Sequence, residues 1–274
     1  MTFDLAHLRD RLDLETTGEG VFTGKNLALD YSRVFGGQIL AQTIMALQKI
    51  AEGKELKSFT QHFPREGDVT LPMEYRTTVH QAGRTFATAG VRAVQGERLV
   101  SLASASLHRP EPGIERSDPA PEAGSPRDAV PLDLPMVPWE IRVVGDTDLT
   151  RRDVRPARYR FWTRVPEPLP DDPWLHRALL AHATDLTVIG TALLPVEGLS
   201  QEDAGIAFHS AVTSHTMWFH QGFRLDGWLL VDQAAPVMSA GRAFGGGHVW
   251  TADGRLVASF AQESMVRPVA PVTG

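Results

Sequence analysis

The sequence predicts an α+β protein made of two fused units, each with a strongly curved antiparallel sheet wrapped around a central helix. Three observations support this fold class. The chain repeats itself at an offset of 158 residues, each copy places a helix before a run of strands, and the second copy ends in a β-hairpin. An offset this long indicates a duplicated domain and not a solenoid of short repeats.

The repeat holds residue by residue. Pairs that lie 158 positions apart are Gly83 and Gly241, Arg84 and Arg242, Phe86 and Phe244, Val91 and Val249, and His62 and His220. Several identities in one register indicate two copies of one structural unit. The copies differ at one polar position, because the second has Gln262 where the first has Ser104 and Ala105.

The hairpin covers residues 241–268. Asp253-Gly254 between two apolar runs is typical of a tight β-turn, because this pair tolerates positive φ. Alternation in the strand that follows places Leu256, Phe260 and Gln262 on one face. An amide on an apolar face is costly unless it is hydrogen-bonded, so Gln262 is a candidate functional residue.

The first unit contains a segment over residues 36–50 that is apolar on most sides, which predicts a buried helix beginning at a glycine pair. Residues 1–15 alternate charged and apolar side chains and predict a short helix. Strands are expected near residues 20–23, 56–64, 71–82, 85–95 and 98–109.

The second unit follows the same order. A helix is predicted from Pro173 to Val188, with proline near its first turn, and strands near residues 205–212, 215–223, 228–237, 241–250 and 255–266. Residues 139–164 also show strand-like alternation. Prolines are frequent from residue 110 to 138 and indicate an extended linker. The expected organisation is an N-terminal unit over residues 1–110, a linker over 111–138 and a C-terminal unit over 139–274.

Composition excludes several function classes. A net charge of -6 argues against a nucleic-acid-binding surface. The absence of cysteine excludes disulfides, thiolate catalysis and cysteine-ligated metals. Because the sequence shows neither a signal-peptide core nor an apolar run of about 18 residues, we expect a cytoplasmic protein without a membrane span.

Asp185 is the first candidate for chemistry. Ala178, Ala181 and Val188 lie at helical spacing from it, so the predicted helix carries this carboxylate on an apolar face. Such a carboxylate must be hydrogen-bonded or have a perturbed pKa. It can tie down a loop, or it can act as a base or water-orienting group in a closed site, and the residues alone leave both open.

The glycine pair before Gln38 is the second candidate. Glycines at a helix N-terminus allow a ligand to approach the free N–H groups, which can hold a phosphate or the oxyanion of an acyl-transfer intermediate; the pair can also be only a turn. His176 and His182 flank Asp185 but lie on different helical faces, so no metal site is predicted. The sequence shows no nucleophile elbow, P-loop or dinucleotide-binding fingerprint.

Five stretches resemble the acyl-CoA thioesterase II family, the double hot-dog thioesterases. They are RVFGGQILAQ from Arg33, GRTFATAGVRAVQ from Gly83, HATDLTV from His182, HTMWFHQGFRLDGWLL from His215 and GRAFGGGHVWTADGRLVASFAQESMVR from Gly241. Together they span nearly the whole chain except the linker. The resemblance implies two fused hot-dog units that hydrolyse fatty acyl-CoA to free acid and CoA without a cofactor.

The resemblance also implies the site residues. The family holds and activates water with an Asp, a Thr or Ser, and a Gln, and the Asp and Gln fall on Asp185 and Gln262. The family hydroxyl falls on Val212, which leaves the adjacent Thr213 and Ser214 as candidates. Simple alternation puts Ser214 on the face of Val212, whereas Thr213 would need a bulge or a register slip, so Ser214 is favoured.

Backbone N–H groups near Gly37 and Gln38 are the candidate oxyanion donors. The expected partner is the acyl-CoA substrate, and a homo-oligomer, either dimer or tetramer, is expected. The two sheets should join into one surface, because an isolated hot-dog sheet has open edges. Two alternatives are compatible with the sequence. One is an acyl-CoA-binding protein that has lost the catalytic hydroxyl. The other is a hot-dog hydratase with an Asp/His pair, and the presence of Gln262 argues against it.

Overall fold

The computed structural model describes residues 4–29 and 31–269. The first unit comprises α1 (Leu5–Leu12), β1 (Glu15–Gly18), β2 (Val21–Gly24), α2 (Gly36–Gln48), β3 (Glu55–His62), β4 (Met73–Ala82), β5 (Phe86–Gln95) and β6 (Arg98–His108). The second comprises β7 (Val130–Leu134), β8 (Val137–Val143), β9 (Arg158–Arg164), α3 (Pro173–Thr184), α4 (Val188–Leu193), a 3-10 turn (Gln201–Asp203), β10 (Phe208–Phe219), β11 (Leu229–Ser239), β12 (Arg242–Thr251) and β13 (Leu256–Pro268).

The strands of both units form one 13-stranded sheet within the described residues, in the order β1-β2-β4-β5-β6-β3-β10-β13-β12-β11-β9-β8-β7. The units meet where β3 pairs antiparallel with β10, with His62 opposite Ser214 and Thr60 opposite Thr216. The hydroxyls of Thr216 and Thr60 are 3.1 Å apart across this seam. The prediction that the two sheets join is confirmed, and the joining satisfies an edge that each unit alone would leave open.

The two central helices lie side by side within a hydrophobic core that both units share. Every residue of α3 after Pro173 is buried, and α2 is buried on most sides. The prediction that the helix over residues 36–50 is buried is therefore confirmed, because a helix that is apolar on most sides must be covered on those sides.

The predicted single helix over 173–188 is wrong at its C-terminal end. The helix α3 ends at Thr184, Asp185 is its C-cap, and a separate helix begins at Val188. Oγ1 of Thr184 lies 3.1 Å from the carbonyl oxygen of Ala181, within hydrogen-bond distance of this backbone group. Threonine and aspartate side chains compete for backbone groups in this way, and a polar run therefore interrupts an otherwise apolar helical pattern.

The two strands expected at 205–212 and 215–223 are one strand, β10, with a register shift between Val212 and Ser214. A bulge inserts one residue without ending the pairing, so the predicted gap between the two strands is occupied by the bulge. The expectation that Leu256 shares a face with Phe260 and Gln262 is wrong, because β13 contains a register shift near its start. Leu256 packs with Trp250 in a separate cluster, while Val257 enters the main core with Phe260.

The proline-rich stretch is not wholly without secondary structure. Residues 130–134 form β7 at the end of the sheet, and β8 begins at Val137. Pro131 is tolerated because an edge strand leaves backbone positions without a ladder partner. The predicted N-terminal helix is confirmed as α1 but is shorter than expected, since Glu15 begins β1 and residues 1–3 lie outside the described residues. Over the described part of the chain, none of the helices has the length and apolarity required to cross a membrane.

Candidate active site

Asp185 lies against the first turn of α2. A Cβ atom built on Gly36 would be 2.7 Å from Oδ2 of Asp185, and one on Gly37 would be 2.5 Å from the carbonyl oxygen of His182. Cβ atoms do not approach other heavy atoms so closely, so only glycine allows the end of α3 to reach the start of α2. At Gly37 the obstacle is backbone, so glycine is required there, whereas at Gly36 a Cβ would displace the carboxylate of Asp185.

Burial strongly affects the Asp185 carboxyl. The residue is 4% exposed, and its Oδ1 has no hydrogen-bond partner among the described residues. Burial raises the pKa of Asp185 to about 7, while a backbone hydrogen bond from Gly37 acts in the opposite direction. A carboxylate that takes up a proton near neutral pH suits the role of a general base.

A cavity of about 590 Å³ opens beside this carboxylate. Gly36 and Asp185 line it together with Val212 and Thr213 of β10. The rest of its wall is largely apolar and comes from both units: Val34, Phe35, Ile39, Phe63, Leu186, Ile189, Phe208 and Met265. A cavity of this size and lining is suited to an aliphatic group placed next to a single buried acid.

Arginines line the same cavity where it meets solvent. Arg65 and Arg98 are exposed, and Arg33 donates to the carbonyl oxygen of Ser210 at 2.9 Å. Glu66 lies 3.6 Å from Arg33 and also lines this region. The three guanidinium groups outnumber the exposed carboxylates beside them, which are Glu66 near Arg33 and Asp68 near Arg98. The opening is therefore positively charged and favours an anionic ligand group.

Gln262 is buried on the inner face of β13. Its Oε1 lies 3.0 Å from Nδ1 of His215, and its Nε2 donates to Oγ of Ser264 at 3.0 Å. Nε2 of His215 lies 3.3 Å from Oγ1 of Thr184, the residue before Asp185. The amide expected on an apolar face is thus buried and hydrogen-bonded, and its contacts lead back to the end of α3. Gln262 is not itself part of the described cavity wall.

The bulge in β10 decides which hydroxyl reaches the cavity. Val212 pairs with Ser264, whereas Ser214 pairs with Glu263, and neighbouring residues of one strand face opposite sides. Ser214 also lies opposite His62, whose side chain is exposed. The expectation that Ser214 shares the face of Val212 is therefore wrong, because the extra residue reverses the alternation.

Thr213, the bulged residue, lines the cavity with Asp185. Its hydroxyl donates to the carbonyl oxygen of Glu263 at 2.9 Å. Because the hydroxyl proton is committed to that carbonyl, the oxygen of Thr213 remains an acceptor for a group in the cavity. The structure thus brings Asp185 and Thr213 to one cavity and turns Ser214 away from it.

Gln38 is unsuited to the oxyanion role that the sequence suggested. Its backbone N–H donates to the carbonyl oxygen of Phe35 at 3.1 Å, and its side-chain Oε1 accepts from the backbone N–H of Leu27 at 2.8 Å. Both groups are used to hold the entry into α2. The backbone N–H of Gly37 was also expected to be an oxyanion donor, but it is hydrogen-bonded to the carboxyl of Asp185.

Two histidines near the site are buried and neutral. Burial lowers the pKa of His182 and of His215 to about 4 in each case. His182 contacts the carbonyl oxygen of Met136 through Nε2 at 2.6 Å. Sequence reasoning assigned no role to His215, although a histidine at an inward position with Met217 and Phe219 is a polar break in an apolar face. In the part of the chain that the structure describes, no group of acidic and histidine side chains is arranged to hold a metal ion.

A larger cavity, of about 1250 Å³, lies near the start of α3. Its wall includes Arg177, which is buried and forms an ion pair with Glu55 of the first unit. None of the candidate site residues named above lines this cavity. This ion pair, in which Arg177 is buried and Glu55 is partly exposed, joins the two units at this end of the helices.

Comparison with known proteins gave consistent results. The profile of the family described as "Acyl-CoA thioesterase" matches residues 146–265, and that described as "Acyl-CoA thioesterase N-terminal domain" matches residues 28–108. Acyl-CoA thioesterase 2 of Haemophilus influenzae is 30% identical over 96% of this chain and 97% of its own length.

Solved structures agree with these matches. The acyl-CoA thioesterase II TesB2 of Mycobacterium marinum is 31% identical, with a TM-score of 0.83, and the match covers 96% of this chain and 99% of that one. A protein from Alicyclobacillus acidocaldarius described as having a hot dog fold is 22% identical, with a TM-score of 0.78, over 97% of this chain and 98% of that one. The second likeness concerns the fold alone.

Proposed function

Because the chain belongs to the acyl-CoA thioesterase family, we propose that Asp185 is the general base of its hydrolytic reaction and that the cavity beside α2 holds the thioester. The protein is a double hot-dog acyl-CoA thioesterase. What supports the residue assignment is one observation: a buried carboxyl with a pKa of about 7 lines a largely apolar cavity formed by both units.

The proposed reaction is a single hydrolysis with Asp185 in its ionised form. The carboxylate accepts a proton from a water molecule while the water oxygen attacks the thioester carbonyl carbon. The tetrahedral intermediate then collapses, the bond between carbon and sulfur breaks, and the departing thiolate takes the proton from Asp185. The products are the free acid and CoA, and the carboxylate is regenerated.

Thr213 and Gln262 are the proposed water-positioning residues. The oxygen of Thr213 can accept a hydrogen bond from the water, since its own proton is donated to Glu263. The amide of Gln262 is held by His215 and Ser264, and one N–H of its Nε2 stays available beyond the contact with Ser264. Gln262 does not itself line the cavity, so its assignment rests on the match to the family pattern. Ser214 has no part in this arrangement, because it faces the other side of the sheet.

The start of α2 is the proposed source of electrostatic stabilisation for the oxyanion. The positive end of a helix dipole lies at its N-terminus, and Gly36 at that terminus lines the cavity. This assignment replaces Gln38, whose N–H is bound to Phe35.

The two parts of the substrate match two parts of the cavity. We propose that the acyl chain packs against the apolar wall and that Arg65 and Arg98 contact the phosphates of CoA at the opening. Guanidinium groups bind phosphate with two parallel hydrogen bonds, and exposed arginines are free to reorient toward a bound nucleotide.

A homo-oligomer, either dimer or tetramer, remains our proposal for the assembly. Its support is a set of apolar side chains that remain 43% to 47% exposed in the sheet: Phe86, Leu102, Trp218 and Phe244. Large exposed apolar side chains of this kind are typical of protein interfaces. A cytoplasmic location stays a prediction from the sequence.

Steady-state hydrolysis of a series of acyl-CoAs, followed by thiol release, tests the role of Asp185. Asp185→Asn should lower kcat by about 100-fold or more, the effect typical of losing a general base, while the protein stays folded. Asp171→Asn is the matched control, because that carboxylate is 95% exposed and lies away from the cavity. Unchanged kcat in a folded Asp185→Asn variant would remove Asp185 from the mechanism.

A further inference from the structure

His215 occupies the centre of a polar row in an otherwise apolar sheet face. In the antiparallel pairing it lies directly opposite Gln61 of β3 on one side and Gln262 of β13 on the other. All three residues are at most 1% exposed. The row crosses the seam between the two units.

Both ring nitrogens of His215 have side-chain neighbours. Nδ1 lies 3.0 Å from Oε1 of Gln262, and Nε2 lies 3.3 Å from Oγ1 of Thr184. The ring is also stacked on Phe260, with the ring centroids 6.0 Å apart. The neutral ring carries a single proton, so Nδ1–H donates to Oε1 of Gln262 and Nε2 is left as an acceptor that faces the hydroxyl of Thr184. These two contacts and the packing on Phe260 together define the orientation of the imidazole.

The contact with His215 matters because Gln262 must present a defined end of its amide. An amide has a donor end and an acceptor end, and rotation by half a turn exchanges them. With Oε1 facing Nδ1 of His215, Nε2 faces Ser264 and retains one further N–H. Removing the imidazole would free Oε1, and the amide could then rotate to present the wrong end.

We propose that His215 is a positioning residue for hydrolysis, which acts by holding the amide of Gln262 in one orientation while anchoring it to Thr184 beside Asp185. This inference rests on the proposed role of Gln262. Through His215, the end of α3 that carries Asp185 is connected to β13, the strand that carries Gln262. The imidazole itself does not contact the substrate.

Three single variants separate positioning from packing. His215→Leu removes the contacts of both ring nitrogens and should lower kcat by about 5- to 150-fold, the effect of losing the one buried hydrogen bond that orients Gln262, with KM changed by less than about threefold. His215→Asn places an amide nitrogen near the position of Nδ1 and should recover most of this loss. Met217→Leu, two residues further on the same buried face, is the packing control and should leave kcat within about twofold.

A double-mutant cycle with Gln262→Ala gives the decisive comparison. If His215 acts through Gln262, His215→Leu should cost less than about twofold in kcat once Gln262 is absent. Multiplicative effects would overturn the inference while leaving the role of Gln262 intact. Unchanged kcat in Gln262→Ala alone would instead contradict the proposed role of Gln262, and the inference with it.

His215→Gln keeps the experiment informative if the leucine variant does not fold. Its amide lies nearer the position of Nε2, so it can contact Thr184 but not Gln262. We expect kcat in the order wild type, then Asn, then Gln, with the Gln variant at least about fivefold below the Asn variant although both melt at similar temperatures. Equal activity of the two variants would overturn the inference.

Discussion

The carboxylate of Asp185 lies so close to Gly36 that a single methyl group on the glycine would be 2.7 Å from Oδ2. This contact joins the C-terminal end of α3 in the second unit to the N-terminal end of α2 in the first. The base and the positive end of a helix dipole therefore meet only when both units are folded and packed together. Because the two units are fused in one chain, the base and this helix end are present in every folded molecule.

We expect Gly36→Ala and Gly37→Ala to have different effects. A Cβ on Gly36 meets a side-chain oxygen that can shift, so this variant should remain folded and lose kcat by about tenfold or more as Asp185 is displaced. A Cβ on Gly37 meets the backbone oxygen of His182 at 2.5 Å, so that variant should lose about 1–3 kcal/mol of stability. Gly113→Ala, where the added methyl has open space, is the control for urea unfolding and kinetics.

The pH dependence of kcat/KM should report the ionisation of Asp185. Since burial raises its pKa to about 7, the base is protonated and inactive in mildly acidic solution. We expect kcat/KM to fall about tenfold per pH unit below pH 7 and to level off above it. After correction for spontaneous thioester hydrolysis, a profile that is flat from pH 5 to 9 would contradict this assignment.

Asp185→Asn should stabilise the protein in alkaline solution. A carboxyl whose pKa is raised in the folded state favours folding below its unfolded pKa, and this contribution is lost as the pH rises through about 7. A rise from 3.8 to about 7 corresponds to at most about 4 kcal/mol. The melting temperature of the variant should therefore exceed that of the wild type at pH 8, and the difference should shrink at pH 4.5. Equal differences at both pH values would contradict burial of an ionisable carboxyl.

Thr213→Val should lower kcat, whereas Ser214→Ala should leave it within about twofold. Thr213 lines the cavity, whereas Ser214 faces the other side of the sheet. One buried hydrogen bond contributes about 1–3 kcal/mol, which corresponds to about a 5- to 150-fold change in rate. Val212→Thr, which adds a hydroxyl at nearly constant shape, should change kcat by less than about threefold, because Thr213 already supplies one to the same cavity. A large loss in Ser214→Ala with no loss in Thr213→Val would show that the bulge does not set the catalytic hydroxyl.

Arg65→Ala and Arg98→Ala should raise KM for an acyl-CoA by about 3- to 30-fold, because exposed guanidinium groups attract phosphates at the cavity opening. Neither variant should change KM for the same acyl group on N-acetylcysteamine, which has no phosphate. Arg116→Ala, in the exposed linker, is the control. Higher ionic strength should raise KM of the wild type more than that of the variants. Parallel effects on both substrates would contradict phosphate recognition.

Much of the fold could be predicted from the sequence because it follows from local periodicity and from internal repetition. The 158-residue offset revealed the duplication, and each of β3 to β6 lies within two residues of its predicted position at both ends. The sequence also predicted that Asp185 and Gln262 lie among apolar side chains, because each interrupts an apolar face, and both residues are buried. These properties depend on neighbours in the chain, which the sequence contains directly.

The geometry of the site was decided by the tertiary structure. Whether Gly36 meets Asp185 depends on how two helices from different units pack, and no local pattern encodes that distance. The bulge at Thr213 changes the face of one hydroxyl through a single extra residue, which depends on how β10 pairs with β13. His215 acquires its partners from α3 and β13 in the same way. Contacts between distant segments arise only when the sheet closes around the helices, and they place a hydroxyl and a buried acid in one cavity.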